Sequence, residues 1–260
     1  MTMEVVSPGR AAEYAAETAR IAEVFARPER RLDAMRRFFR REMLHTGTRD
    51  ILGGAGVEET TRSLSDLADT LAAAAVRLAA EQLADRFPKP PRTPYALIGL
   101  GKLGGRELNY SSDIDVIAVY GEEGEVKDAE GRRVTHLEDF HKLTERTVQN
   151  LSRPTGEGHL YRVDTRLRPE SGAGPLARSL PGYLTYYESR GELWERQMLI
   201  KARPVGGDLE FGGEFLGRLT PFVYPRTFFE SPIASGRRMK ERIEAETGDP
   251  GNVKTRPGGI

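Results

Sequence analysis

Apolar residues recur at three- and four-residue steps along the first third of this chain, then give way near residue 93 to short unbroken apolar runs. The first pattern belongs to amphipathic helices and the second to buried strands. Ser7 followed by Pro8 offers a capping hydroxyl and a proline in the first turn, which predicts a helix to about residue 25. Pro28 starts a second helix, with Leu32, Met35, Phe39 and Met43 as its buried stripe. That helix is dense in arginine (Arg27, Arg30, Arg31, Arg36, Arg37, Arg40, Arg41), a pattern read as a solvated face rather than a polyanion site. Gly53, Gly54 and Gly56 interrupt it. A long amphipathic helix then spans residues 57–87 with Leu64, Leu67, Leu71, Ala75 and Leu78 on one side. The segment PKPPRTP, residues 88–94, disfavours both helix and ladder pairing and closes a helical region assigned to residues 1–92.

Residues 95–101 and 113–120 read as short buried strands, 121–133 as a charged loop, and 136–151 as a helix with Leu137, Phe140, Leu143, Thr144, Val148 and Leu151 at helical spacing. Residues 160–167 read as a third strand closed by Pro169, and residues 180–189, 192–202, 208–219 and 232–246 as helices. The expected fold class is α+β, with a small mixed sheet in a core over residues 93–207 and a helical extension over 208–260. The closing NVKTRPGGI reads as an element cut off in its course, the mark of a fragment.

Composition narrows the chemistry. In 260 residues, Lys plus Arg and Asp plus Glu are both 39, so no global field points to nucleic acid or membrane as a partner. Cysteine is absent, which removes disulfides, thiolate nucleophiles and zinc-cysteine sites and agrees with a reducing, cytoplasmic setting. The histidines lack ligand spacing: His136 and His141 do not share a helical face, and His45 and His159 stand alone.

The chemistry concentrates in GLGKLGGRELNYSSDIDVIAVYG, residues 99–121. Asp113 and Asp115 alternate with Ile114, so two carboxylates meet one small volume while Ile114 packs on the opposite face. Like charges this close call for a shared proton or a cation, and a hard divalent ion takes carboxylate oxygens readily. The same run matches the G-x-G-x-x-G dinucleotide fingerprint from Gly99 to Gly104, with Glu122 about twenty residues on. A dinucleotide unit needs a full crossover helix before its next parallel strand, and residues 105–112 are too few for one. A strand, a glycine turn and a second strand carrying Asp-x-Asp fit better, because glycine lets backbone amides approach a phosphate. Asp164, in YRVDTRLRP, offers a third carboxylate, with Arg162, Arg166 and Arg168 at two-residue steps expected on its face. Its competing reading is an ion pair with one of those arginines. Farther on, Arg196 and Lys201 in WERQMLIKARP are either phosphate ligands or a solvated face around Trp194, Met198 and Leu199.

Taken together, GKLGGRELNYSSDID, YRVDTRLRP, GPLARSL, YYESRGELWERQMLIKARP, PFVYPR and NVKTRPGGI resemble the bifunctional glutamine synthetase adenylyltransferase and adenylyl-removing family, within the DNA polymerase beta-like nucleotidyltransferases. The wording is most similar to the half of that family which removes AMP from a tyrosine of glutamine synthetase. The resemblance implies a polymerase-beta-like nucleotidyltransferase core. It implies Asp113, Asp115 and Asp164 as catalytic residues and ligands of Mg2+ or Mn2+. Gly104, Gly105, Lys102, Ser112, Arg166, Arg196 and Lys201 would hold ATP, ADP or phosphate. The implied partners are glutamine synthetase and, in the full-length enzyme, PII signal protein, with no nucleic acid and no membrane. Thr255 and Arg256 depart from the Leu-Gly that follows Asn-Val-Lys in the family.

Overall fold

The computed structural model describes residues 10–87 and 91–227, with positions 234, 237, 238 and 241. The Ser7–Pro8 cap, part of the PKPPRTP segment, the helix expected at 232–246 and the closing NVKTRPGGI lie outside the described residues or are described only at isolated positions. The elements are α1 (Ala11–Val24), α2 (Pro28–Ile51), α3 (Val57–Leu83), β1 (Tyr95–Gly99), α4 (Gly101–Gly104), β2 (Ile114–Tyr120), β3 (Glu125–Lys127), β4 (Arg133–Thr135), α5 (His136–Ser152), β5 (Val163–Asp164), β6 (Ala177–Ser179), α6 (Leu180–Arg190), α7 (Leu193–Leu199), β7 (Arg203–Gly207) and α8 (Leu209–Val223). The fold is mixed α+β, with a small sheet between two layers of helices.

The sheet runs β5-β2-β1-β7, with β6 also pairing β2. β1 lies antiparallel to β2 and to β7, whereas β5 and β6 run parallel to β2, β5 at its Ile114 end and β6 at its Tyr120 end. Because β1 and β2 are antiparallel neighbours, a parallel dinucleotide-binding crossover between them is ruled out.

Strand alternation sorts the core into two clusters. Tyr95, Leu97, Ile114, Val116, Ala118 and Tyr120 face α1, α2, α3 and α5. Ala96, Ile98, Ile117 and Val119 face Tyr183, Tyr187, Phe211, Phe215 and Leu219 of α6 and α8. With both faces covered, these strands read as continuous apolar runs instead of alternating ones. The α3 stripe lies as the periodicity predicts, with Leu64, Leu67, Leu71, Ala75 and Leu78 all buried.

Several expectations need correction. The charged loop contains the antiparallel hairpin β3–β4. The third strand is only Val163–Asp164, because the Arg166 amide turns back to Asp164 Oδ1 at 2.8 Å and Arg168 N–H donates to the Thr165 carbonyl. Arg168 therefore does not share the face of Asp164. It is buried and staples the following loop through the carbonyls of Thr165, Gly172 and Gly174. On α2 the buried positions are Ala34, Met35, Arg36, Phe38, Glu42 and Thr46, so the stripe is rotated from the expected one and takes in an arginine and a glutamate.

Leu97 is fully buried at the centre of the sheet. Leu97→Ala should cost about 2–5 kcal/mol in denaturant unfolding, whereas Ile51→Ala, at an 86% exposed position, should stay within about 0.5 kcal/mol.

Candidate active site

β1 runs into Leu100, whose amide donates to the Asp115 carbonyl at 2.9 Å, and the chain then coils into the single turn of α4. Gly101 takes φ +54, and a Cβ there would stand 2.6 Å from Asp115 Oδ2. Glycine at 101 thus permits both the left-handed turn and the approach of the carboxylate. Gly104 is packed as tightly, since its Cβ would meet the Lys201 carbonyl oxygen at 2.4 Å. The amides of Gly104 and Gly105 donate to the carbonyls of Leu100 and Gly101, so the double glycine serves first to make a close turn.

Helices α2 and α3 anchor the turn and the loop that follows it. Arg203 reaches across from β7 to pair bidentately with Asp69 of α3 at 2.6 and 2.8 Å, and also donates to the carbonyls of Leu103 and Gly104. Arg106, in the left-handed region at φ 55, pairs with Asp66 at 2.6 Å, and Leu108 N–H donates to Ser65 Oγ. Tyr110 donates to Asp50 on α2 at 2.8 Å. Ser112 closes the loop through Asn109 Oδ1 at 2.6 Å. Sequence reasoning missed Asp66, Asp69 and Arg203 as organisers of the turn. The available signal was a pair of acids set among the apolar stripe residues Leu64, Leu67 and Leu71.

Asp115 and Asp164 are register partners on the parallel strands β2 and β5, so their side chains lie side by side on one face. Asp113 precedes β2 with the same parity. Burial raises the Asp115 carboxyl to about 6, helped by the negative charges of Asp164 and Asp113 and opposed by Arg166 and Lys102. Asp164 is held below its ordinary value by its hydrogen bond from Arg166, whose Nη2 lies 2.5 Å from Oδ2. Asp113 is held by Arg162, which also donates to the Ser111 carbonyl at 3.1 Å. Among the described residues no three His, Cys, Asp or Glu side chains stand at metal-ligand spacing, and arginines pair with Asp113 and Asp164.

Lys201 lies over the glycine turn, with its Cδ 3.0 Å from where a Gly105 Cβ would be and its Nζ on Glu107 at 2.7 and 2.9 Å. Lys102 is exposed on α4 and acts electrostatically on Asp115. Arg196 is elsewhere. It stacks 4.2 Å over the Phe222 ring and donates to the Phe222 carbonyl, so it fastens α7 to α8 rather than joining the carboxylates. A larger concavity, about 1110 Å3, opens at the far end of β1 and β2 around Thr93, Gly121, Lys127, His136 and Arg218. It lacks the carboxylate cluster.

A half-buried acid pair beside a tight glycine turn, on a small sheet braced by helices, is an arrangement suited to phosphate and cation chemistry. The family model for glutamate-ammonia ligase adenylyltransferase matches residues 2–218, and the chain belongs to that family. Curated relatives named bifunctional glutamine synthetase adenylyltransferase/adenylyl-removing enzyme include those of Nitrosococcus oceani, 39% identical over 87% of this chain, and Pseudomonas aeruginosa, 41% identical over 87%. The relative of the same name in Thioalkalivibrio sulfidiphilus is 39% identical over 97% of this chain. The chain spans 24%, 24% and 27% of the length of these relatives, respectively. Among the described residues no helix is long and apolar enough to cross a membrane.

A carboxyl that stays protonated to about 6 in the fold and titrates near 3.8 when unfolded stabilises the protein most below the lower value. That contribution is lost as pH rises from about 4 to about 6. Asp115→Asn should remove this slope and, at pH 8, raise the unfolding temperature by a few degrees, read by calorimetry across pH. A variant with the wild-type slope would contradict the electrostatic account of the site.

Proposed function

We propose that this chain carries out metal-dependent nucleotidyl transfer on glutamine synthetase, as the phosphorolytic removal of AMP from an adenylylated tyrosine, from a site of the polymerase-beta type. The observation that carries the reading is the in-register pair Asp115 and Asp164 beside the glycine turn, with Asp115 raised to about 6 by burial and by its acidic neighbours. Family membership and the names of the relatives support the substrate class. The resemblance of this sequence to the removing half supports the direction.

The donor set fits a hard divalent cation, being carboxylate oxygens under mutual repulsion. Asp113, Asp115 and Asp164 would hold it, and when bound it would neutralise charge on the phosphoryl oxygens. Entry requires Arg162 and Arg166 to let go of their partners. Both arginines are exposed, at 64% and 79%, so each can swing out into solvent to make way. Released, Arg166 and Arg162 would be free to pair with phosphate oxygens, with Lys102 and Lys201 on the turn side. The turn glycines keep side-chain bulk out of the space that Asp115 and the Lys201 backbone occupy.

In the reaction, a phosphate oxygen attacks the α-phosphorus of adenylyl-tyrosine in line. The bond from phosphorus to the tyrosine oxygen breaks, and the departing oxygen takes up a proton as ADP forms. The protein orients both phosphates and stabilises their charge, with no covalent intermediate on a side chain. Addition of AMP from ATP uses the same geometry with the tyrosine oxygen as nucleophile.

Incubation with adenylylated glutamine synthetase, Mg2+ and inorganic phosphate should release ADP, and chelation of the metal should stop it. Asp113→Asn and Asp164→Asn should each lower the rate on the order of 100-fold or more while far-ultraviolet circular dichroism stays unchanged. Near-wild-type rates in either variant would sink the assignment.

A further inference from the structure

The arginine-rich helix α2 carries one residue that a solvated face does not explain. Arg36 is 1% exposed. Its Nη2 donates to the Arg153 carbonyl at 3.0 Å and its Nη1 to Asp33 Oδ1 at 3.3 Å, while Nε has no acceptor. Burial pulls its pKa below the ordinary value, as expected of a cation whose lost hydration is not replaced by its neighbours. Asp33, itself 29% exposed and at the long end of pairing distance, compensates it weakly.

Arg36 lines a concavity of about 480 Å3 between α2, the last turns of α5 and the loop at residues 153–157. That size is in the range of small-molecule sites. Arg146 and Arg153 line it as well, both exposed and with no side-chain ion pair or hydrogen bond among the described residues. Glu157 also borders it but is already held by Arg37 and Arg40, which leaves Glu29 and Asp33 as the acids opposing three arginines. A buried guanidinium short of acceptors, with two uncommitted guanidinium groups on the same cavity wall, suits a planar or tetrahedral oxyanion.

We propose that this concavity is a binding site for a small carboxylate or phosphate oxyanion, sharing no residue with the Asp115 cluster. The loop that walls it leads on through Leu160 and Tyr161 into β5, which carries Asp164.

Thermal unfolding of the full chain, with inorganic phosphate and succinate as separate probes at ionic strength held constant with chloride, tests this. A saturable rise of several degrees with one probe identifies the oxyanion class. In a Lys102→Gln/Lys201→Gln background, which removes phosphate held at the glycine turn, adding the exposed rim substitutions Arg146→Gln/Arg153→Gln should drop the apparent affinity about tenfold or more. The absence of a saturable rise with either probe would overturn the proposal. So would a rise that survives the rim substitutions, and so would one that disappears with the Lys102 and Lys201 substitutions alone, which would locate the binding at the glycine turn instead.

Discussion

One guanidinium fixes the relation between the helical layer and the glycine turn. Arg203 leaves β7, forks onto Asp69 of α3, and caps the carbonyls of Leu103 and Gly104 where the single turn of α4 ends. Both partners are mostly buried, at 18% and 20% exposure, so the pair is more costly to break than a surface ion pair; losing one member of a buried pair costs up to about 3–5 kcal/mol. β7 is itself hydrogen-bonded to β1, which feeds the turn, so the clamp closes a ring of strand, turn, helix and strand. Within that ring the Lys201 carbonyl can press against Gly104 and Asp115 can stand against Gly101. The geometry around the acid pair is therefore imposed from α3, far earlier in the chain.

The parts of the fold that were legible in the sequence are those in which one physical demand dominates. The stripe of α3 and the apolar runs of β1 and β2 answer only to burial, and they lie where the periodicity puts them. Ile114 packs into the core while Asp115 faces away from it, as alternation requires. The misses share a different cause. β7 reads Arg-Pro-Val-Gly-Gly, a poor strand by composition that forms because β1 offers an open edge, with a register shift that absorbs the irregularity. β3 and β4 each set one valine between polar, exposed ends, and they are joined through a turn that Asp128 organises with Glu130 and Arg132. Arg168 and Arg196 sit in motifs rich in basic residues, yet each spends its donors on backbone carbonyls, which only tertiary structure reveals. The acid cluster was legible as a cluster, and so, as the competing reading, was an ion pair of Asp164 with one of its neighbouring arginines, met by Arg166; that Arg162 takes Asp113 appears only in the structure.

Asp115 shows how the site is kept under electrostatic tension. Its carboxyl is partly withdrawn from water and faces two others, while the arginines that relieve the outer pair are themselves exposed. Such a cluster is poorly satisfied without a further cation and reachable by one, which agrees with the transfer chemistry proposed for this family member. The cost is met by the two-faced core beneath it, where strand residues from Ala96 to Tyr120 are almost wholly removed from solvent.

The shortness of β5 has a consequence for how this chain tolerates change in length. Only Ile114–Val163 and Asp115–Asp164 are paired on that edge of β2 before β6 takes over at Ala118. A deletion or insertion of one residue just ahead of Val163 would exchange the faces of Val163 and Asp164, because side chains alternate strictly along a strand. Between Asp164 and Ala177 the chain loops out and rejoins the same edge, so added residues there leave the acid's orientation intact. Length variation among related sequences is thus expected to collect after Asp164 and to be rare in the few residues before it.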